Sequence, residues 1–232
     1  MSRLASFRGP STPTSSPVQR KTQNRSTPNS PSKQIESTYH RKLRACLLEM
    51  RAVTETWEDL VIFDGLKSLR KLVDARTDMD NELARIPNRL PCEHVVAPKL
   101  ETMDQYIDDL DSMIAKLQKQ FRKLNSLIES LESILVEAHK AKGWQWVCGE
   151  PLWVTWSLEK FVTSISDIIV PYHRSLDFYM DSVSALHNHS ITFQESREII
   201  DRWVAQPWLQ EDGWEAKWED ICSAEVERWE SK

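Results

Sequence analysis

Few residues of this chain stand at spacings that could do chemistry. His187-Asn-His189 is its only close histidine pair. A zinc site needs three or four protein ligands, and no matched Cys or carboxylate set accompanies the pair. It therefore reads as solvated loop residues rather than as a metal site. His173 follows Pro171 and reads as part of a polar face. Cys148 lies among aromatics, and a thiol becomes nucleophilic only beside a cation that its sequence neighbourhood does not supply. Glu101, Asp104, Asp108, Asp109 and Asp111 suit the start of a helix, where negative charge meets the positive end of the dipole. The chain has no GxSxG, Walker, HExxH or GxGxxG motif. No catalytic, cofactor-binding or metal-binding residue is assigned, and no cofactor is expected.

The remaining chemistry is that of modification. Four Ser/Thr-Pro pairs make Thr12, Ser16, Thr27 and Ser30 candidate phosphorylation sites. Ser30-Pro-Ser-Lys33 has the spacing preferred by cyclin-dependent kinases, and a phosphate there would set up to about two negative charges beside Lys33. Such pairs are also common in any Ser/Pro-rich tail, and residues 1–35 are of that kind. They are nearly free of large apolar side chains, cannot bury enough surface to offset ordering entropy, and are expected to be disordered.

Charge is divided unevenly. Residues 1–38 hold six Lys/Arg against one acidic residue, and the rest holds 24 against 34. A body this acidic is a poor partner for a phosphate backbone, so direct nucleic-acid binding is not expected. No run of about 18 apolar residues suggests a membrane span, and the N-terminus lacks the apolar core of a secretory signal. Cys46, Cys92, Cys148 and Cys222 are too scattered for a disulfide framework, so reduced thiols of a cytosolic or nuclear protein are expected.

The elements that would position these residues are helices. The chain has only five Gly, which disfavours hairpins. Tyr39, Leu43, Cys46, Met50, Val53, Trp57 and Leu60 alternate four- and three-residue steps along one helix face. Asp64-Gly65 should interrupt or bend that helix. The pattern resumes at Leu69, Leu72, Met79, Leu83 and Ile86, with Arg76 in one gap. The proline-rich stretch from Pro87 to Pro98 predicts a connection that no helix crosses. Leu100, Met103, Ile107, Leu110, Ile114, Leu117, Phe121, Leu124, Ile128, Leu131, Leu135 and Ala138 then keep the spacing over roughly 40 residues, about 60 Å of helix. An antiparallel return of 39–86 on 99–141 closes this seam within the chain. Pairing with a second chain is the alternative.

Nine of the ten Trp lie beyond Gly143, where the long helix should end. Trp144 to Trp156, broken by Gly149 and Pro151, reads as irregular. A helix kinked at Pro171 is predicted over about 157–186, then one capped by Thr192 and Glu195 that stops before Pro207, then a last one from Asp212. Large aromatics supply buried area where short helices have little core. Nine exceed what one small cap can bury, so at least one of Trp208 and Trp214 is expected at the surface, facing a partner. The fold class is all-α: a disordered tail over 1–35, a long antiparallel hairpin over 36–142 and a Trp-rich set of short helices over 143–232.

One array is specific. Pro151-Leu152-Trp153-x-Thr155-Trp156-x4-Phe161, then Tyr172, Leu176 and Leu186, then Trp203-x-x-Gln206-Pro207, resembles the C-terminal region of the cyclin-dependent kinase 2-interacting protein family. The likeness is specific over about 60 residues and looser at Trp57, Leu60 and Gly65. Pro171 and the Trp residues from Trp208 to Trp229 depart from the family pattern. The resemblance implies a non-catalytic nuclear adaptor, with the cytoplasm as a second location. Its implied partners are a cyclin-dependent kinase, replication and DNA-damage checkpoint factors, and an AAA ATPase complex with other helical adaptor subunits in large ribosomal subunit maturation. Pro151, Trp153, Thr155, Trp156, Phe161, Tyr172, Trp203, Gln206 and Pro207 are its signature residues. The competing reading is a structural coiled-coil subunit of a spindle, kinetochore or tethering complex, and an unrecognised enzyme is the third.

Overall fold

The computed structural model describes residues 36–86, 93–211 and 213–227. The tail and its candidate sites Thr12, Ser16, Thr27 and Ser30 lie outside them, as do Cys92, Asp212 and Trp229. The fold is all-α, with no strand among the described residues.

The hairpin closes within one chain. Its first leg is α1 (Thr38–Asp59), a π-helical segment (Leu60–Gly65) and α2 (Leu66–Arg85). Asp64-Gly65 does not break the helix. The chain runs on through six residues of wider helix. Its return leg is α3 (Glu93–Lys142), 50 residues and about 75 Å long. This helix begins five residues before Pro98, which the sequence pattern placed in the connection. A proline near the start of a helix forgoes one backbone bond there, and the rest of the ladder is untouched. Four ion pairs mark the antiparallel register without setting it: Lys42–Glu137, Glu49–Lys123, Asp64–Lys116 and Glu82–Lys99. They are exposed and contribute little energy. The apolar stripe carries that role, with Leu43, Met50, Val53, Leu69, Leu72, Met103, Leu110, Met113, Leu117, Leu124 and Leu131 buried.

Phe121 is an exception. It stands in the predicted seam yet is only half-buried, 5.5 Å from the His173 ring. Phe121→Ala is therefore expected to cost about 1–2 kcal/mol, below the cost of truncating a fully enclosed side chain. Urea unfolding would show this.

Beyond α3, Gly143 turns the chain at φ 83° and a short helix, α4 (Trp144–Gly149), forms where irregular structure was expected. Next come α5 (Leu158–Ser166) and α6 (Ile169–Leu186). The predicted single kinked helix is thus two helices parted at Asp167 and Ile168. Pro171 has no N–H to give to the carbonyl of Asp167, and its ring would press on it, so the ladder stops there and restarts. Arg76 is buried against the end of α6 and donates to the Leu186 carbonyl. Helix α7 (Phe193–Ala205) runs back and ends at Gln206, whose left-handed φ of 42° turns the chain into a π-helical segment, Pro207–Glu211. Helix α8 (Trp214–Ile221) is preceded by Gly213 at φ 68°, and the expected cap residue Asp212 lies outside the described residues. A last π-helical segment is Cys222–Glu227. Trp203 lies against Val61, Arg51 meets Glu219 and Glu227, and Glu225 meets Thr155. The order is therefore up, down, up, down, and the C-terminal helices form the third and fourth legs of one bundle. Residues on both sides of Gly143 share its core.

The α7 start has the expected capping box. Thr192 Oγ1 accepts from the Glu195 amide, and the Glu195 carboxylate accepts from the Thr192 amide. Thr192→Ala should lose about 1 kcal/mol, measurable as a shift of the urea midpoint.

Candidate functional site

The signature residues occupy two places in the bundle. The first is the loop between α4 and α5. Pro151 is exposed and forms an isolated bridge with Ser157, and the Leu152 amide donates to the Trp156 carbonyl at 2.9 Å. Ser157 caps α5 by accepting from the Lys160 amide at 3.3 Å. The rings of Trp153 and Trp156 both meet Phe161, at 5.3 and 5.2 Å between centroids. Phe161 and Trp153 are buried and Trp156 is half-buried, with the Lys160 ammonium 4.4 Å above its ring.

Two distant segments hold this loop. Glu36 accepts from the Trp153 indole at 3.3 Å and pairs with Arg44, whose guanidinium also lies over the Trp153 ring. His40 Nε2 contacts the Leu152 carbonyl at 2.6 Å. On the other side the Glu225 carboxylate accepts from the Thr155 amide at 2.9 Å, the Trp156 amide at 3.1 Å and the Thr155 hydroxyl. Burial alone would push the Glu225 carboxyl up, but these three donors and nearby Lys160 hold it below the usual carboxylate value. Glu36 is lowered in the same way: burial opposes, while Arg44 and the Trp153 indole favour the ion.

The second place is mid-bundle. Trp203 is fully buried, its indole donates to the Val61 carbonyl at 3.0 Å, and its ring meets Tyr179 at 4.5 Å. Gly65 is required there, since a Cβ on it would stand 2.7 Å from Trp203 Cζ2. Gln206 is buried and Pro207 half-buried at the turn that follows. Tyr172 packs edge-on against Trp57 at 5.1 Å. Phe161 belongs to the loop cluster and not to that of Trp203, because the two stand at different levels of the bundle.

The aromatic surplus is distributed differently from the expectation. Trp214 is buried and Trp208 half-buried, because the fourth leg folds onto the first and third. Among the described residues the exposed tryptophan is Trp144, with 59 % of its surface free, beside His139 at the α3–α4 turn. It follows Gly143, whose φ of 83° turns the chain out of α3.

The residues first considered for chemistry do not converge. His187 and His189 reach separate carboxylates, Asp111 at 3.2 Å and Asp104 at 3.6 Å. Among the described residues no group of three His, Cys, Asp or Glu is placed to hold a metal. Burial and Glu159 push the Cys148 thiol up, away from the reactive thiolate. No helix among them is long and apolar enough to cross a membrane. Glu36, His40, Arg44 and Glu225 escaped sequence reasoning, since a lone charged residue far along the chain carries no local mark.

No protein-family model matches this chain, and no curated protein matches it.

Proposed function

We propose that this chain is a non-catalytic helical adaptor of the nucleus, with the cytoplasm as a second location. It would join a cyclin-dependent kinase or replication and checkpoint factors to an AAA ATPase assembly of large ribosomal subunit maturation. The specific array from Pro151 to Pro207, and its likeness to the cyclin-dependent kinase 2-interacting protein family, support the partners. One structural observation favours an adaptor over a coiled-coil subunit: most of both hairpin stripes is buried within a single chain, with Leu100, Ile114, Phe121 and Leu135 partly covered by the same core. The rigid body then offers side surfaces, and the Ser/Thr-Pro tail, with Ser30 foremost, offers sites at which a kinase would add charge.

The test is purification of the tagged chain from nuclear extract at near-physiological salt, with sedimentation of the purified chain alone. A compact monomer that co-elutes with an AAA ATPase or a cyclin-dependent kinase is the expected result. An elongated self-associated dimer without either would favour the spindle, kinetochore or tethering reading.

A further inference from the structure

A groove of about 1140 Å³ runs along the outside of the bundle between α6 and α7. Asn188, Ser190, Ile191 and Thr192 of the α6–α7 connection line it, as does Trp208 beyond α7. The floor is apolar, formed by Phe178, Ile191, Ile199 and Trp208. Phe178 and Trp208 pack at 5.7 Å, which makes the floor rigid. The walls are carboxylates: Asp177 and Asp181 on α6, Glu195 and Glu198 on α7. Arg174 and Arg202 also line it, Arg202 lying over the Phe178 ring at 4.8 Å, so the lining holds four carboxylates against two guanidiniums.

The acid is matched only in part. Asp177 pairs with His173 at 3.0 Å and Glu195 is held in the capping box with Thr192, whereas among the described residues Asp181 has no ion pair and Glu198 accepts from the Gln194 amide at 3.0 Å. The loop above the groove carries His187 and His189, whose partners Asp111 and Asp104 belong to the acidic run on α3. Phe193, with 61 % of its surface free, follows Thr192 at the mouth. An apolar trough in which four carboxylates outnumber two guanidiniums complements a helix with apolar side chains on one face and Lys or Arg beside them.

We propose that the α6–α7 groove is a docking site for a basic amphipathic helix of a partner protein. The proposal rests on the adaptor reading and gives it a place. The lining residues on α6, from Arg174 to Ala185, correspond to roughly three helical turns, so the trough seats a helix of similar length. Apolar anchors enter over Phe178, Ile199 and Trp208, while Asp181 and Glu198 meet the flanking cations. The walls reject an acidic helix by like charge.

The probe is a labelled peptide of Leu and Lys in amphipathic helical order, roughly four turns long, with a Leu/Glu peptide of the same pattern as its opposite. Binding to the full chain is read by anisotropy. The Leu/Lys peptide should bind at least about tenfold more tightly than the Leu/Glu peptide, and the double variant Asp181→Lys, Glu198→Lys should weaken it by about tenfold or more. Both positions are exposed, so the thermal melt should be unchanged. Reversal at Glu129 and Glu132, exposed on α3 away from the groove, should leave binding as it is. Equal binding of the two peptides, no loss in the groove variant, or equal loss in the α3 variant would overturn the proposal. So would a dimer of the chain that the groove variant dissolves, since the occupant would then be a second copy. These arms need only purified chain and peptide, so they decide the groove even if no ATPase or kinase co-purifies and the adaptor reading falls.

Discussion

Trp203→Ala should unfold the chain about 3–5 kcal/mol more easily than the wild type. The side chain is completely enclosed, and its removal leaves a cavity between the first, third and fourth legs and takes one of two donors from the Val61 carbonyl. The π-helical segment shapes this contact. The Leu66 amide reaches back five residues to the Val61 carbonyl, and the same oxygen takes the indole N–H. Gly65 then lets the ring approach the backbone. Gly65→Ala alone should cost about 1–3 kcal/mol, since the new methyl would press on both Trp203 and Met113. In a Trp203→Ala background the same change should cost little or become favourable, because alanine suits a helix better than glycine and partly fills the void. Denaturant unfolding of the four proteins of this cycle gives the coupling. Additive losses would show that Gly65 and Trp203 do not constrain each other.

Glu225→Ala should cost about 2–4 kcal/mol, because it removes a charged acceptor shared by two backbone amides and one hydroxyl. The loss should appear as a loosened loop, with faster amide exchange at Thr155 and Trp156. The pH dependence follows from the lowered carboxyls of Glu225 and Glu36. A depressed folded-state value means that the unfolded chain takes up the proton first as pH falls. The stabilisation is therefore complete well above the ordinary value of 4.5 and is lost as pH drops below it toward the folded-state values. Wild-type stability should decline below about pH 5, and Glu225→Ala should decline less steeply. Parallel slopes for the two proteins, from urea titrations at several pH values, would remove Glu225 from the acid limb.

Periodicity and capping are local properties, and the sequence alone determined what depends on them. The stripes of α1, α2 and α3 place their apolar residues at spacings that one helix face can hold, so the hairpin was legible. Thr192 and Glu195 satisfy each other within one turn, and Gly143 ends α3 because only glycine takes its φ of 83° without strain. Proline was legible in kind and not in consequence: Pro98 is absorbed near the start of a helix, whereas Pro171 parts two helices one turn ahead of itself. The array from Pro151 to Pro207 stood out as a motif, yet its two halves serve different clusters. Tertiary structure alone decided why. Trp203 meets Val61 across 142 residues, and Glu225 meets Thr155 across 70. Neither pairing has a trace in the neighbours of either residue, because what joins them is the height at which separate legs of the bundle come to lie side by side. The same packing decides which tryptophans are covered: the fourth leg folds Trp208 and Trp214 inward, and Trp144 stays exposed at the turn where Gly143 takes the chain out of α3.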